Sequence, residues 1–234
     1  MHNSKEYLKN VPFYFISSVF TKLLAFILLP IYANVLDAEQ LGLISIYESA
    51  ARIIIIFTSL YLDTAFLRFY FDYRAKKRSE LQIFFSTHFI FLASWGVILG
   101  TLIIFILLLY NSSFKEIRVN VIVMIVIYQI INQLYFLVSG IWQAELKSKA
   151  VSIANILFSL TGFTFTLGAL LWFNSDWEGR FISIFCVSLI QMMFVMYYCL
   201  RRSLLVFNFD YKVIKESLRY SIPLMPNIAA GWIA

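Results

Sequence analysis

Four ionisable side chains interrupt apolar runs in which charge is costly: Lys22, Glu48, Arg52 and Asp63. An ionised group at the centre of a bilayer costs at least about 2.5 to 3.5 kcal/mol on insertion scales, so these residues must face protein or water. The chemistry they offer is anion binding with counter-charge. Arg52 carries a planar fork suited to a bidentate grip on phosphate, and Lys22 a flexible point charge. Glu48 stands one helical turn before Arg52, in the order that favours an i, i+4 contact, which predicts that it holds the guanidinium. Asp63 follows near the inner end of the same run, and His88 interrupts the next. Two readings stay open: a closed ion-pair network that only fixes packing, and a water-filled cavity.

The composition dictates the solvent around these residues. The chain is 61% hydrophobic, 18% aromatic and only 14% charged, with a mean hydropathy of +0.81. A soluble domain needs about a quarter of its residues charged, so lipid must cover this one. Apolar runs at 11–36, 42–66, 82–110, 119–142, 150–173 and 180–200 can each cross a core of about 30 Å at 1.5 Å per residue. They are expected to be helices, because a lone helix satisfies its own backbone in lipid and barrel strands are far shorter. The fold class predicted is an all-α membrane protein, a polytopic bundle of six transmembrane helices plus the start of a seventh. Residues 1–200 form the six-helix lobe, 201–220 a basic cytoplasmic link, and 221–234 the opening of the seventh helix. That last run is too short to span, so it reads either as a re-entrant segment or as the sign of a front half of a longer protein, cut inside its seventh helix.

Basic residues fall on alternate links. Lys5 and Lys9, then Arg68, Arg74, Lys76, Lys77 and Arg78, then Lys147 and Lys149, then Arg201, Arg202, Lys212, Lys215 and Arg219 lie on one side. The opposite links hold only Lys115, Arg118 and Arg180. The positive-inside rule therefore places the amino terminus in the cytoplasm. The net charge of +6 is topology rather than a nucleic-acid footprint, and no nucleic-acid partner is expected. The first run is longer than a signal-peptide core and has Lys22 at its centre, so it reads as a retained span. Cys186 and Cys199 lie roughly 20 Å apart along one helix and cannot pair with each other.

Polar residues inside the runs form stripes. At about 100° per residue, Ser45, Glu48, Ser49, Arg52, Ser59 and Asp63 fall within an arc of roughly 100°. Gln129, Asn132, Gln133, Gly140 and Gln143 do so in the fourth run, and Ser152, Asn155, Ser159, Gly162 and Thr166 in the fifth. In the first, Ser18, Thr21, Lys22 and Ala25 share a face; the third and sixth show no comparable stripe. Uncharged stripes of small residues are commonly packing seams. Lys22 and Arg52 both come to about 15 Å depth, which predicts two cations near the midplane.

Lys22, Phe26, Pro30, Tyr32 and Ala33, then Leu41 and Gly42, then Ala65, Arg68, Phe69 and Tyr70 ahead of a basic link resemble the opening helices of Wzx-type polysaccharide repeat-unit flippases. These belong to the multidrug/oligosaccharidyl-lipid/polysaccharide exporter superfamily. The resemblance extends to the Ser-Ile-Pro-Leu-Met-Pro stretch at Ser221 to Pro226, similar to the start of that family's seventh helix. It implies a bacterial inner-membrane flippase moving a polyprenyl-pyrophosphate-linked oligosaccharide by alternating access, with membrane lipid, a polysaccharide polymerase and export machinery as partners. It further implies that Lys22, Arg52, Glu48, Arg68, Gln129, Asn132 and Gln133 meet substrate, and that Asp63, Glu48 and His88 are candidates for ion coupling. Trp142 is a candidate for stacking on a sugar, or an interfacial anchor. No cofactor is expected, and no nucleotide-binding glycine-rich loop is present. The alternatives are a cation or drug antiporter of the same superfamily, a membrane glycan polymerase or ligase, and a non-transporting fragment. Short outer links without a nucleophile or carboxylate pair argue against an enzyme.

Overall fold

A computed structural model describes residues 4–109, 117–172 and 176–226, with side chains from Val11 onward. Among the described residues there are helices and no strands: α1 (Ser4–Val35), α2 (Ala38–Ser59), α3 (Leu62–Arg74), α4 (Arg78–Leu109), α5 (Val119–Ala144), α6 (Ser148–Leu171), α7 (Glu178–Arg201) and α8 (Tyr211–Ser221), with a 3-10 turn at Ile222–Leu224. Among the described residues, six stretches are long and apolar enough to cross a membrane: Val11–Val35, Ala38–Arg74, Arg78–Leu109, Val119–Ala144, Ser148–Leu171 and Glu178–Arg201. The protein is a multi-pass, all-α membrane protein. Residues 227–234, most of the expected seventh-helix opening, lie outside the described residues, as does Lys115.

The chain forms two compact units, Met1–Glu48 with Trp142–Val187, and Ser49–Ile141 with Ser188–Ala234. In the first, α1 lies along α6. Thr21 and Ser159 hydroxyls meet at 2.9 Å, the kind of hydroxyl contact that joins helices in lipid, and Leu24, Leu28 and Tyr32 are buried at successive turns of α1.

The second unit holds an aromatic core. Phe66 stacks on Phe84 with centroids 5.1 Å apart and meets Phe85 and His88 edge-on. Tyr73 stacks on Phe84 at 4.4 Å. Phe66, Tyr70, Phe84, Phe85 and His88 are almost fully buried. Higher up, α4 and α5 approach through glycine. A Cβ at Gly96 would lie 2.5 Å from Ile130 Cγ1, and one at Gly100 would press closer still on Val126. The third span, expected to lack an interface stripe, thus makes its interface with a Gly-x-x-x-Gly spacing.

The second span departs most from expectation. A continuous helix over 42–66 is expected, yet α2 ends at Ser59 and the chain restarts as α3 at Leu62. Leu60 and Tyr61 take left-handed φ values of 47° and 56°, a conformation that costs a non-glycine residue about 1 to 2 kcal/mol. The Ser59 hydroxyl accepts the Tyr61 backbone N–H at 3.2 Å, which offsets part of that cost. At 1.5 Å per residue α2 alone is about 33 Å long and already matches the hydrocarbon core. So α3 is surplus length, and Arg68 to Arg74, expected in a link, are helical. The 100° step cannot be carried across two left-handed residues, so Asp63 does not belong to the polar stripe of Ser45 to Arg52.

Candidate substrate site

In the first unit, Lys22 is exposed on α1 and, among the described residues, makes no ion pair. One residue away, Thr21 uses its hydroxyl to hold α6, so packing fixes the backbone that carries the lysine while leaving its ammonium free.

Glu48 and Arg180 also belong to this unit. Arg180 Nε lies 3.5 Å from Glu48 Oε1, with both side chains partly exposed. The carboxylate expected to hold Arg52 is thus engaged by Arg180, from the opening turn of α7. Sequence reasoning passed over Arg180 as a topology charge, because nothing in the spacing reveals that α2 and α7 are neighbours. Around the pair, Tyr47 stacks on Trp177 at 4.9 Å and meets Phe181 at 5.6 Å. The Tyr32 hydroxyl is buried without a hydrogen-bond partner, within electrostatic reach of both charges. Tyr32 is the second residue that sequence reasoning missed; its one signal was membership of the motif at Phe26 to Ala33.

In the second unit, Arg52 is exposed on α2 and makes no ion pair among the described residues. Its neighbour Ala51 accepts a hydrogen bond through its carbonyl from Gln129 Nε2 at 3.1 Å, which ties α5 to α2 at this level. Gln129 and Gln133 are buried and Asn132 is half-buried. The amide expected to meet sugar, Gln129, therefore serves helix packing. Its Oε1 remains buried without a partner.

Asp63 opens α3 half-buried, with Oδ1 unpartnered. Arg68 is exposed one turn further along. His88 is fully buried: Nε2 and the Ser217 hydroxyl meet at 3.0 Å, while Nδ1 lies 2.9 Å from the Phe84 carbonyl. Both ring nitrogens are occupied, and in this conformation His88 ties α4 to α8. Trp142 is buried in the first unit and offers no open face for a sugar. No group of three or more metal-ligating side chains occurs among the described residues. Among the described residues, the first unit offers the unneutralised Lys22 and an ion pair with spare hydrogen-bonding capacity, and the second unit offers the unneutralised Arg52; each is chemistry suited to an anionic or hydroxyl-bearing ligand.

A family model described as polysaccharide biosynthesis protein matches residues 7–234. Among curated proteins, the chain is similar to the Lsg locus putative protein 1 of Haemophilus influenzae, at 25% identity over 233 residues, covering 96% of this chain and 54% of that protein. The chain thus spans about half the length of the curated relative it matches. No solved structure matches it.

Proposed function

Since this chain belongs to the polysaccharide biosynthesis protein family, we propose that it is the amino-terminal six-span lobe of a flippase for polyprenyl-pyrophosphate-linked oligosaccharide. The lobe sits in the bacterial inner membrane with its amino terminus in the cytoplasm, as the distribution of basic residues favours. It is a transporter rather than an enzyme, working with a polymerase and export machinery.

The observation that carries this reading is that Lys22 and Arg52 stand exposed within spans without an ion-pair partner among the described residues. A pyrophosphate leaving the headgroup region loses its hydration, and cations in a partly dehydrated hollow replace it. Arg52 in the second unit suits bidentate binding of phosphate, and Lys22 in the first supplies a flexible point charge. Glu48 and Arg180 lie beside a buried tyrosine hydroxyl and supply donors and acceptors to sugar hydroxyls near the outer side. Rocking of lobes about the midplane then exposes the head to either face, while the lipid tail stays in the bilayer.

In a flippase-null strain expressing the protein with all its spans, Arg52→Ala and Lys22→Ala should each insert normally and fail to restore surface glycan. Full restoration by both variants would return the cations to a packing role and end the proposal.

A further inference from the structure

The inner end of the second unit is a clamp that grips the segment after α7. Arg78 Nη2 donates to the Arg202 carbonyl at 3.3 Å, and Gln82 Nε2 to the Ser203 carbonyl at 2.6 Å. The Ser86 hydroxyl donates to the Leu204 carbonyl and accepts the Val206 N–H at 2.8 Å. Thr87 Oγ1 accepts the Asp210 N–H at 3.0 Å, and His88 meets Ser217. Every polar side chain of the first three turns of α4 from Gln82 to His88, except its capping neighbours, is thereby spent on one segment.

That segment presents a two-faced helix. At 100° per residue, Val213, Ile214, Ser217 and Ser221, all buried, fill one arc of α8, and Tyr211, Lys212, Lys215 and Arg219, all exposed, fill the opposite one. The apolar face is already used against α3 and α4, so what α8 offers outward is basic and aromatic. Asp210 is engaged as the helix cap, accepting the Lys212 N–H at 2.8 Å. Ahead of it, Phe207 is wholly exposed on a loop held by the two Ser86 hydrogen bonds, and just after it Tyr211, the first residue of α8, is 68% exposed. Beside it, Arg74 and Lys77 are exposed at the turn between α3 and α4. The apolar part of α4 beyond His88 is about 31 Å long, enough to cross the core alone, so the clamped segment lies at the bilayer boundary.

We propose that this face docks anionic phospholipid headgroups of the leaflet that it borders, with Phe207 and Tyr211 set among the headgroups and Lys212, Lys215 and Arg219 on their phosphates. The charge is complementary and the aromatic rings are of the kind that favour membrane interfaces. Glu216 is the acidic residue of α8 and stands at the edge of the basic arc, so the arc keeps its sign.

The test places a thiol-reactive fluorophore on Asn208→Cys in the whole chain reconstituted in vesicles; the parent, whose Cys186 and Cys199 lie inside a span, is the unlabelled control. Brominated phosphatidylglycerol should quench the label more than brominated phosphatidylcholine does. Neutralising Lys212, Lys215 and Arg219 to Gln together should bring the two into line, each charge carrying about a fivefold preference. Phe207→Ala should weaken quenching by both lipids. Equal quenching in the starting protein, a preference that survives the triple substitution, or a label untouched by either lipid, as for a face covered by a soluble partner, would each overturn the proposal.

Discussion

The first unit is held by a hydroxyl contact, a small aromatic cluster of Tyr47, Trp177 and Phe181 and part-exposed ion pairs, the second by a larger aromatic core and a ladder of hydrogen bonds to the segment after α7. The difference follows from solvent. Helices surrounded by acyl chains gain little hydrophobic free energy from hiding leucine, so α1 and α6 adhere through van der Waals packing at Leu24, Leu28 and Tyr32 and through the Thr21–Ser159 contact. Where α3 and the opening turns of α4 exceed the bilayer thickness, water supplies a hydrophobic driving force again, and Phe66, Tyr70, Phe84 and Phe85 pack as they would in a soluble domain. Aromatic packing and hydrogen bonding are therefore densest around α3, the opening turns of α4 and α8, and unneutralised charge stands within the spans.

The sharpest way to break this contrast is Phe66→Ala. It removes a ring that touches Phe84, Phe85 and His88, and it should cost about 3 to 5 kcal/mol, read as a lowered unfolding midpoint in detergent. A loss under about 1 kcal/mol would mean that the second unit has no water-driven core.

Ser86→Ala should come next. It leaves the Leu204 carbonyl and the Val206 N–H without their partner, a cost of about 1 to 3 kcal/mol for groups stranded in a partly buried place. Amide exchange at residues 204–210 should accelerate while exchange in α6 stays unchanged. Uniform acceleration in both would show that the clamp is not local.

A double-mutant cycle on Glu48→Gln and Arg180→Gln should return a coupling below about 1 kcal/mol, because both side chains reach solvent and screening weakens the pair. A much larger coupling would move this pair from a ligand-facing to a structural role. The smallest effect expected is for Thr21→Val, which keeps the shape and deletes the contact with Ser159; hydrogen bonds between membrane helices average about 0.6 kcal/mol. Thermal unfolding should barely shift, and a large drop would show that the first unit depends on that contact.

Much of this was legible in the residues. The apolar runs fix where helices cross, since length and composition alone satisfy the bilayer, and Lys22 and Arg52 stand out because charge in such runs is rare. The break after Ser59 was not legible, because Leu60 and Tyr61 carry no turn propensity and the Ser59 hydroxyl that accepts the Tyr61 N–H gives no signal of its own. Nor was the partner of Glu48, since the neighbour one turn along the sequence and the neighbour across space compete, and geometry favours Arg180. Gln129 reads from the sequence as a candidate for meeting sugar and His88 as an ion-coupling candidate or a hydrogen-bonded packing residue; the structure engages Gln129 Nε2 with the Ala51 carbonyl and His88 with Ser217.

The sequence by itself determined solvent, class and span count, because burial in lipid is a property of whole runs and every residue in a run votes. Only the tertiary structure decided which polar side chains are spent on holding helices and which stay free. That choice rests on a few hydrogen bonds between residues far apart in the chain, and no single run of residues encodes it.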